Sequence, residues 1–195
     1  VRNIVKNFAN LIFLLLIIPV FLLYRIIKFF TKSEKTFHGF SQLVSLFPGT
    51  LGEYVRKSFY YLALKKCSLD CCISFGVIIT DSESEINSGV YIGTYCTLGK
   101  VSIGQDTLLG SNVDIINGAN QHYIERIDIP IREQGGEFPK VYIGEDCWIG
   151  NGSLIMENIE KKCVIGAKSV VTKPIEAYSI AMGHPARIVK KRLDV

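Results

Sequence analysis

The chain holds three histidines, His38, His122 and His184, and only His122 stands at a break in an otherwise regular pattern, within "NGANQHY" (residues 117–123). Imidazole titrates near neutrality, so a histidine carried there could take a proton from an attacking group and return it. On residue type alone it is as readily a solvated loop side chain. Metal chemistry fits less well. No two histidines lie near each other in the repeat, no C-x-x-C occurs, and no Cys/His pair has zinc-ligand spacing. The six cysteines are Cys67, Cys71, Cys72, Cys96, Cys147 and Cys163. Most fall inside the repeat, where a small apolar side chain suits a packed coil, so buried, reduced thiols and a reducing compartment are expected.

The pattern that His122 interrupts has a period of six. Ile73 and Ile79, then Ile86, Ile92 and Leu98, then Ile103, Leu109 and Ile115 keep the beat, with single-residue slips between the groups. It is absent between Ile116 and Val141, resumes at Ile143, Ile149 and Ile155, and continues at Ile165 and Val171. Glycine follows the aliphatic residue at Gly93, Gly99, Gly104, Gly110, Gly144, Gly150 and Gly166. Six is neither a helical nor an alternating period; it is the hexapeptide signature of a parallel β-helix. Each hexapeptide supplies one short strand and one turn, and three close a triangular coil. The aliphatic side chain points to the axis, the small residue beside it fits a tight corner, and coils stack at about 4.8 Å. In "IMENIEKKCVIG" (residues 155–166) the step from Ile155 to Ile165 is about two residues short of two perfect hexapeptides, so one coil must be pinched there.

Before the repeat the chain changes character. Hydrophobic residues make up 48% of the whole and the net charge is +4, but the first 35 residues carry six basic side chains against Glu34, leaving about −1 for the remainder. That distribution excludes a nucleic-acid-binding domain, which would carry its basic stripe on the folded body, and points to a membrane surface. "FANLIFLLLIIPVFLLY" (residues 8–24) is apolar on every face and flanked by Arg2, Lys6, Arg25 and Lys28. Pro19 near its middle leaves two readings open: a helical hairpin that enters one leaflet and returns, or a tilted single span. After Pro48-Gly49 the positions Leu51, Tyr54, Val55, Ser58, Phe59 and Leu62 follow helical spacing, with Arg56, Lys57, Lys65 and Lys66 expected on an opposite, basic face. This amphipathic helix would cap the first open coil, lie on headgroups, or both. The division that follows is a membrane-associated helical segment (1–35), an amphipathic linker and cap (36–66), a β-helix (67–183) with a protruding loop (117–140), and a basic C-terminal tail (184–195).

Taken together, "YIGTYCTLG", "VSIGQDTLLGSNVDIINGANQH", "YIGEDCWIGNGSLI", "VIGAKSVVTK" and "AMGHPARIVKKR" resemble the hexapeptide-repeat acetyltransferases, in particular the maltose, galactoside and streptogramin kinds. "SQLVSLFPGTLGEYVRKSFYYLALKKC" resembles the polysaccharide O-acyltransferases of the same superfamily. The resemblance covers roughly residues 41–192. It implies a mainly β fold, a left-handed parallel β-helix of hexapeptide repeats with an N-terminal membrane helix or hairpin and an amphipathic capping helix. It further implies a homotrimer with sites between subunits and acetyl-CoA as co-substrate, with no resident metal.

Carried over residue by residue, the resemblance makes His122 the general base. Gln121 is extra beside the commoner "NGANH". Trp148, Gly150, Asn151, Ala167, Thr172, Lys173, Arg187 and Lys190 become the expected contacts to acetyl-CoA, with backbone N–H groups near Gly150 as oxyanion donors. His184 and Pro174 depart from the commoner Asn and Asp. Asn112, Asp114, Tyr91 and Tyr95 are the candidates on the acceptor side. Residues 125–138 either fold over the site, hinged at Gly135-Gly136, or simply connect. The expected activity is O-acetylation of a sugar hydroxyl of a bacterial surface polysaccharide or its lipid-linked precursor, at the cytoplasmic face of a bacterial inner membrane reached through residues 1–35. The alternatives are N-acetylation of a nucleotide-linked amino sugar and a non-catalytic, membrane-tethered trimeric scaffold.

Overall fold

The computed structural model describes residues 2–194. Three helices precede the repeat: α1 (Arg2–Thr31), α2 (Glu34–Ser45) and α3 (Gly49–Ala63). Six coils follow. The first holds β1 (Lys66–Cys67), β2 (Cys72–Ile73) and β3 (Ile78–Ile79); the second β4 (Glu85–Ile86), β5 (Tyr91–Ile92) and β6 (Thr97–Leu98); the third β7 (Val101–Ile103), β8 (Leu108–Leu109) and β9 (Asp114–Ile115). After the loop, the fourth holds β10 (Val141–Ile143), β11 (Trp148–Ile149) and β12 (Leu154–Ile155), the fifth β13 (Val164–Ile165) and β14 (Val170–Val171), and the sixth β15 (Ser179–Gly183), on which β16 (Ala186–Lys191) folds back.

The strands stack into three parallel sheets. Face A is β1-β4-β7-β10, face B is β2-β5-β8-β11-β13-β15, with β16 antiparallel at its end, and face C is β3-β6-β9-β12-β14. Register is strict: Ile73, Ile92, Leu109, Ile149 and Ile165 sit directly above one another on face B. They are essentially fully buried, so each aliphatic residue packs on the same residue of the next coil. The pinched segment is resolved without a full strand. Ile159 and Ile175 complete face A in coils five and six through single bridges, Ile143 to Ile159 and Ile159 to Ile175.

A second buried line lies two residues before each aliphatic. There Cys96, Thr107, Cys147, Ser153 and Cys163 donate to corner carbonyls, as in Thr107 Oγ1 to Gly144 O at 2.7 Å and Cys147 Sγ to Glu160 O at 3.1 Å. The cysteines are therefore small donors inside the stack, and burial pushes the Cys96 thiol up to about 11. The glycines after the aliphatics serve stacking rather than unusual dihedrals. A Cβ on Gly93 would lie 2.6 Å from the backbone of Gly110, and one on Gly150 2.4 Å from Ala167 N. The left-handed corner positions fall instead to residues such as Tyr95, Asp106, Asn112 and Asp146.

The expected basic outer face of α3 is not found. Arg56 and Lys57 are buried, each 1% exposed, while Leu51 is outside. The reason lies in the open lower edge of coil one, whose backbone groups have no coil beneath them. Arg56 Nε donates to Ile73 O at 2.8 Å, Ile79 N–H donates to Ser41 Oγ at 2.8 Å, and Gly76 N–H donates to Ser45 O at 3.1 Å. Lys57 Nζ lies over the Tyr54 ring, 3.9 Å from its centroid. Capping is thus carried by polar side chains of α2 and α3 turned inward.

Nor does Pro19 break the apolar run: α1 is one continuous helix. Pro19 is exposed, and packing on the opposite face holds the axis. Phe13 stacks on Tyr54, and buried Tyr24 meets Phe37, Phe40 and Phe59 with ring centroids 5.6–6.1 Å apart. Among the flanking charges, the Arg2 side chain lies outside the described residues.

Replacing Arg56 with Leu should leave the Ile73 and Phe47 carbonyls without their buried donor, costing roughly 1–3 kcal/mol for each group left unpaired. Hydrogen exchange should then accelerate in coil one, residues 66–79, while coils four to six keep their protection.

Candidate active site

The break in the repeat is a hairpin that leaves the corner between faces C and A after coil three and returns to start coil four. Asn117 anchors its base. It is 8% exposed; its Nδ2 donates to Lys100 O and Pro139 O, both at 2.8 Å, and its Oδ1 accepts from Lys100 N at 3.0 Å. The two arms are zipped by Glu137 N–H to Asn120 O at 2.8 Å, Tyr123 N–H to Gly135 O at 3.0 Å, and Tyr123 OH to Glu137 Oε1 at 2.9 Å. Gln134 closes the tip, donating to Arg126 O and accepting from Arg126 N–H. At the return, Lys140 Nζ bonds Glu85 Oε1 at 2.8 Å and Glu83 O at 2.7 Å, two coils' worth of chain away. The Lys140 hydrogen bond, with that of Lys65, holds the Glu85 carboxyl at about 2.

His122 projects from this hairpin and is exposed; its ring meets Phe138 edge-on, with centroids 6.4 Å apart. Among the described residues its side chain has no hydrogen-bond partner. Of the glycine pair behind it, Gly136 is closely packed, while Gly135 takes a left-handed φ of 81°. A Cβ on Gly136 would lie 1.9 Å from Gln121 O and 2.9 Å from His122 N, so only glycine lets the arms close at that level. Gln121, the extra residue, turns its side chain to the Gly118 carbonyl at 3.5 Å. Asn117 and Gly136, which set where His122 stands, were not among the sequence candidates. The signal for Asn117 was its place, a polar residue directly after the last aliphatic of coil three.

The expected site residues divide between two faces. Asp114 is exposed on face C, flanked in register by Thr97 and Leu154. One edge of that face is the corner holding Asn112, Gly150, Asn151 and Ala167; the other is the corner of the His122 hairpin and, in coil five, Thr172 and Lys173. Tyr91, Trp148, Arg187 and Lys190 lie around the corner on face B, all exposed. Trp148, 57% exposed, borders a cavity of about 260 Å³ with Asp106, Asp146 and Arg192. The tail is not a loose end: Arg187 and Lys190 belong to β16, and Lys191 pairs with Glu176 at 2.6 Å. Tyr95 sits low in coil two, its ring edge-on to Phe75 and against Gly76. The N–H of Gly150 donates to Ile165 O at 2.8 Å, so it is taken by the coil ladder and cannot serve an oxyanion. His38 lies in α2 beside Gln42, outside these groups. No three His, Cys, Asp or Glu side chains gather as a metal site among the described residues.

No family model matches the chain. A chloramphenicol acetyltransferase of Escherichia coli is 42% identical over 156 residues, 74% of this chain and 68% of the relative. A putative lipopolysaccharide biosynthesis O-acetyl transferase, WbbJ of Escherichia coli, is 32% identical over 123 residues, 60% of this chain and 61% of the relative. Among solved structures, a variant of the Bacillus cereus N-acyltransferase AntD, in complex with dTDP-4-amino-4,6-dideoxyglucose and coenzyme A, superposes with a TM-score of 0.54 at 20% identity. It covers 62% of this chain and 69% of that one, a likeness of fold alone. The chain spans about half the length of several other curated acetyltransferases, 45–52% of four of them.

Two outcomes test the hairpin geometry. Asn117→Ala should open its base, so that limited proteolysis cuts within 118–139 faster while the thermal midpoint of the β-helix moves by only a few degrees. The Glu85 pKa is depressed, so the clamp's contribution is complete above the usual glutamate range and is lost as pH falls through about 2. A carboxyl titration by NMR should place the Glu85 midpoint near 2, and Lys140→Met should move it up toward the ordinary value.

Proposed function

The chain belongs to the hexapeptide-repeat acetyltransferases, and from that premise we propose that it is an acetyl-CoA-dependent O-acetyltransferase. Its acceptor is a sugar hydroxyl of a bacterial surface polysaccharide or of the lipid-linked precursor. The observation that carries this reading is the hairpin: a rigid column extends one anchored arm, and the arm presents an exposed histidine beside a face that carries Asp114. His122 takes the hydroxyl proton as the sugar oxygen attacks the thioester carbonyl. The tetrahedral adduct collapses, the C–S bond breaks, and the imidazolium returns the proton to the departing CoA sulfur. The thioester is already activated, so no acyl-enzyme is required, and the buried thiols of the coil stack take no part.

The phosphates of acetyl-CoA suit the exposed cations of the upper coils, Lys173, Arg187 and Lys190. Trp148, Asn151, Ala167 and Thr172 offer the surface along which the rest of the co-substrate lies. A trimer with sites between subunits is favoured by the hairpin's apolar residues. Ile124, Ile127, Ile131 and Phe138 are all exposed in the single chain, Ile127 completely, as expected of a surface that a neighbouring subunit covers. That neighbour would also orient the His122 ring. The acceptor reading draws on the WbbJ likeness and on the apolar α1, which supports a position at a membrane, its cytoplasmic face in this reading; an enzyme of soluble nucleotide sugars has no use for such a helix.

His122→Ala should lower transfer about 10²–10⁴-fold, with CoA affinity changed less than about three-fold. The assay is release of CoA thiol from acetyl-CoA in the presence of lipid-linked glycan, free glycan or chloramphenicol, with mass spectrometry of the product. Undiminished transfer by the variant would remove His122 as the base, and acetylation of chloramphenicol alone would remove the glycan.

A further inference from the structure

From the way α1 is mounted, and resting on the membrane reading above, we propose that the helix lies flat in one leaflet as an in-plane anchor and does not cross the bilayer. Its length and composition suffice for a span: 30 residues make about 45 Å of helix. The two sides of that helix, however, are not alike. Buried or half-buried positions are Lys6, Asn10, Phe13, Ile17, Tyr24 and Lys28; exposed ones include Phe8, Ile12, Leu15, Leu16, Leu22, Leu23, Ile26 and Phe30. At about 100° per residue the two sets fall on opposite sides of the wheel. Tyr24 is 2% exposed and Phe30 77%.

The inner side is fastened to the folded body at both ends. Lys6 pairs with Asp70 at one corner of coil one, and Lys28 bonds Glu34 and Ser82 at another, at 2.7 and 2.8 Å. The axis of α1 therefore runs across the base of the β-helix. A span in this mounting would drag Asp70, Glu34 and Ser82 into hydrocarbon beside it, at the cost of burying charges there. Laid flat, the same helix sinks only its outer face, roughly 5–10 Å deep.

Three observations select lipid as the occupant of that face rather than a second copy. The exposed apolar surface continues onto Leu43, Leu46, Phe47 and Leu51 of the cap, making a broad base and not a narrow seam. Arg25, Lys32 and Lys35 are exposed beside it, complementary to anionic headgroups. The margin at the N-terminal end is mixed and roomy: a cavity of about 690 Å³ lined by Lys6, Asn10 and Asp70 together with Leu11, Leu14 and Leu69 opens there, and the buried Asn10 Oδ1 has no hydrogen-bond partner among the described residues. Hydrated headgroups satisfy such a margin, whereas an apolar protein contact does not. With a helix layer of about 10 Å and two to three coils of about 4.8 Å each below it, the base of the His122 hairpin stands roughly 20–25 Å from the lipid. The reacting hydroxyl is then one that projects well clear of the headgroups.

The test uses the full chain with Cys72→Ser and one added cysteine at a time: Val5→Cys, Leu16→Cys, Leu23→Cys and Phe30→Cys, all on the outer side. Each is nitroxide-labelled and bound to vesicles of phosphatidylethanolamine and phosphatidylglycerol, and its depth is read from oxygen and nickel relaxation. Four nearly equal, shallow depths are expected. A profile deepest at 16 and 23, with 5 and 30 at opposite surfaces, would overturn the proposal, as would protein that leaves the vesicles and assembles into particles larger than a trimer. The measurement needs no transfer, and His122→Ala should give the same depths. An inactive protein with a flat profile would therefore count against the enzymatic reading alone.

Discussion

In this chain the backbone hydrogen bonds run along the long axis of the molecule, from each coil to the next. No coil can satisfy its own N–H and C=O groups, and every coil depends on the one above and the one below. The interior obeys this by repetition, with isoleucine, leucine and valine stacked in register. The ends cannot. At the base, Arg56, Ser41 and Ser45 bring donors and acceptors up from two helices to the open edge of coil one. At the top, β16 turns back on β15. The buried arginine and serines, which look misplaced in a helix beneath an apolar column, are what let the column begin.

A column held this way is rigid and smooth, and its flat faces enclose little. The excursion of residues 117–140 departs at the corner where the chain leaves the stack between two complete coils. It is held by a few polar contacts: Asn117 across its mouth, Lys140 down to Glu85, and the close approach of Gly136 to Gln121. The apolar outer side of the hairpin and the ring of His122 are both exposed in the single chain. The same ladder that supplies rigidity also takes corner donors out of play, as with the Gly150 N–H.

The cap joins these requirements to the apolar helix. Because α2 and α3 must close coil one, they offer α1 a platform on which one side of an apolar helix can pack. Tyr24 and its ring of phenylalanines make that contact. An otherwise uniform apolar segment thereby acquires two different faces, and the His122 hairpin acquires a defined height above the base.

Period six, the triangular coil, the buried aliphatic line and the location of the break were legible in the sequence because each depends on residues a fixed few positions apart. So was the apolar character of residues 8–24, and His122 followed from where the pattern stops. The roles of Arg56, Lys57, Asn117 and Gly136 were not legible. Arg56, Asn117 and Gly136 are set by partners 15 to 22 positions away, Ile73 for Arg56, Pro139 for Asn117 and Gln121 for Gly136. Periodicity carries no information about such pairs. It read α3 as a helix with an outward basic face, and Pro19 as a break or a tilt; packing against the open coil turned Arg56 and Lys57 inward, and α1 runs through Pro19 as one continuous helix. Sequence alone determined the repeat and the residue at its interruption. Tertiary structure decided how the ends are closed, how the histidine is held, and which side of the apolar helix is left exposed, because those depend on which distant backbone groups lack a partner.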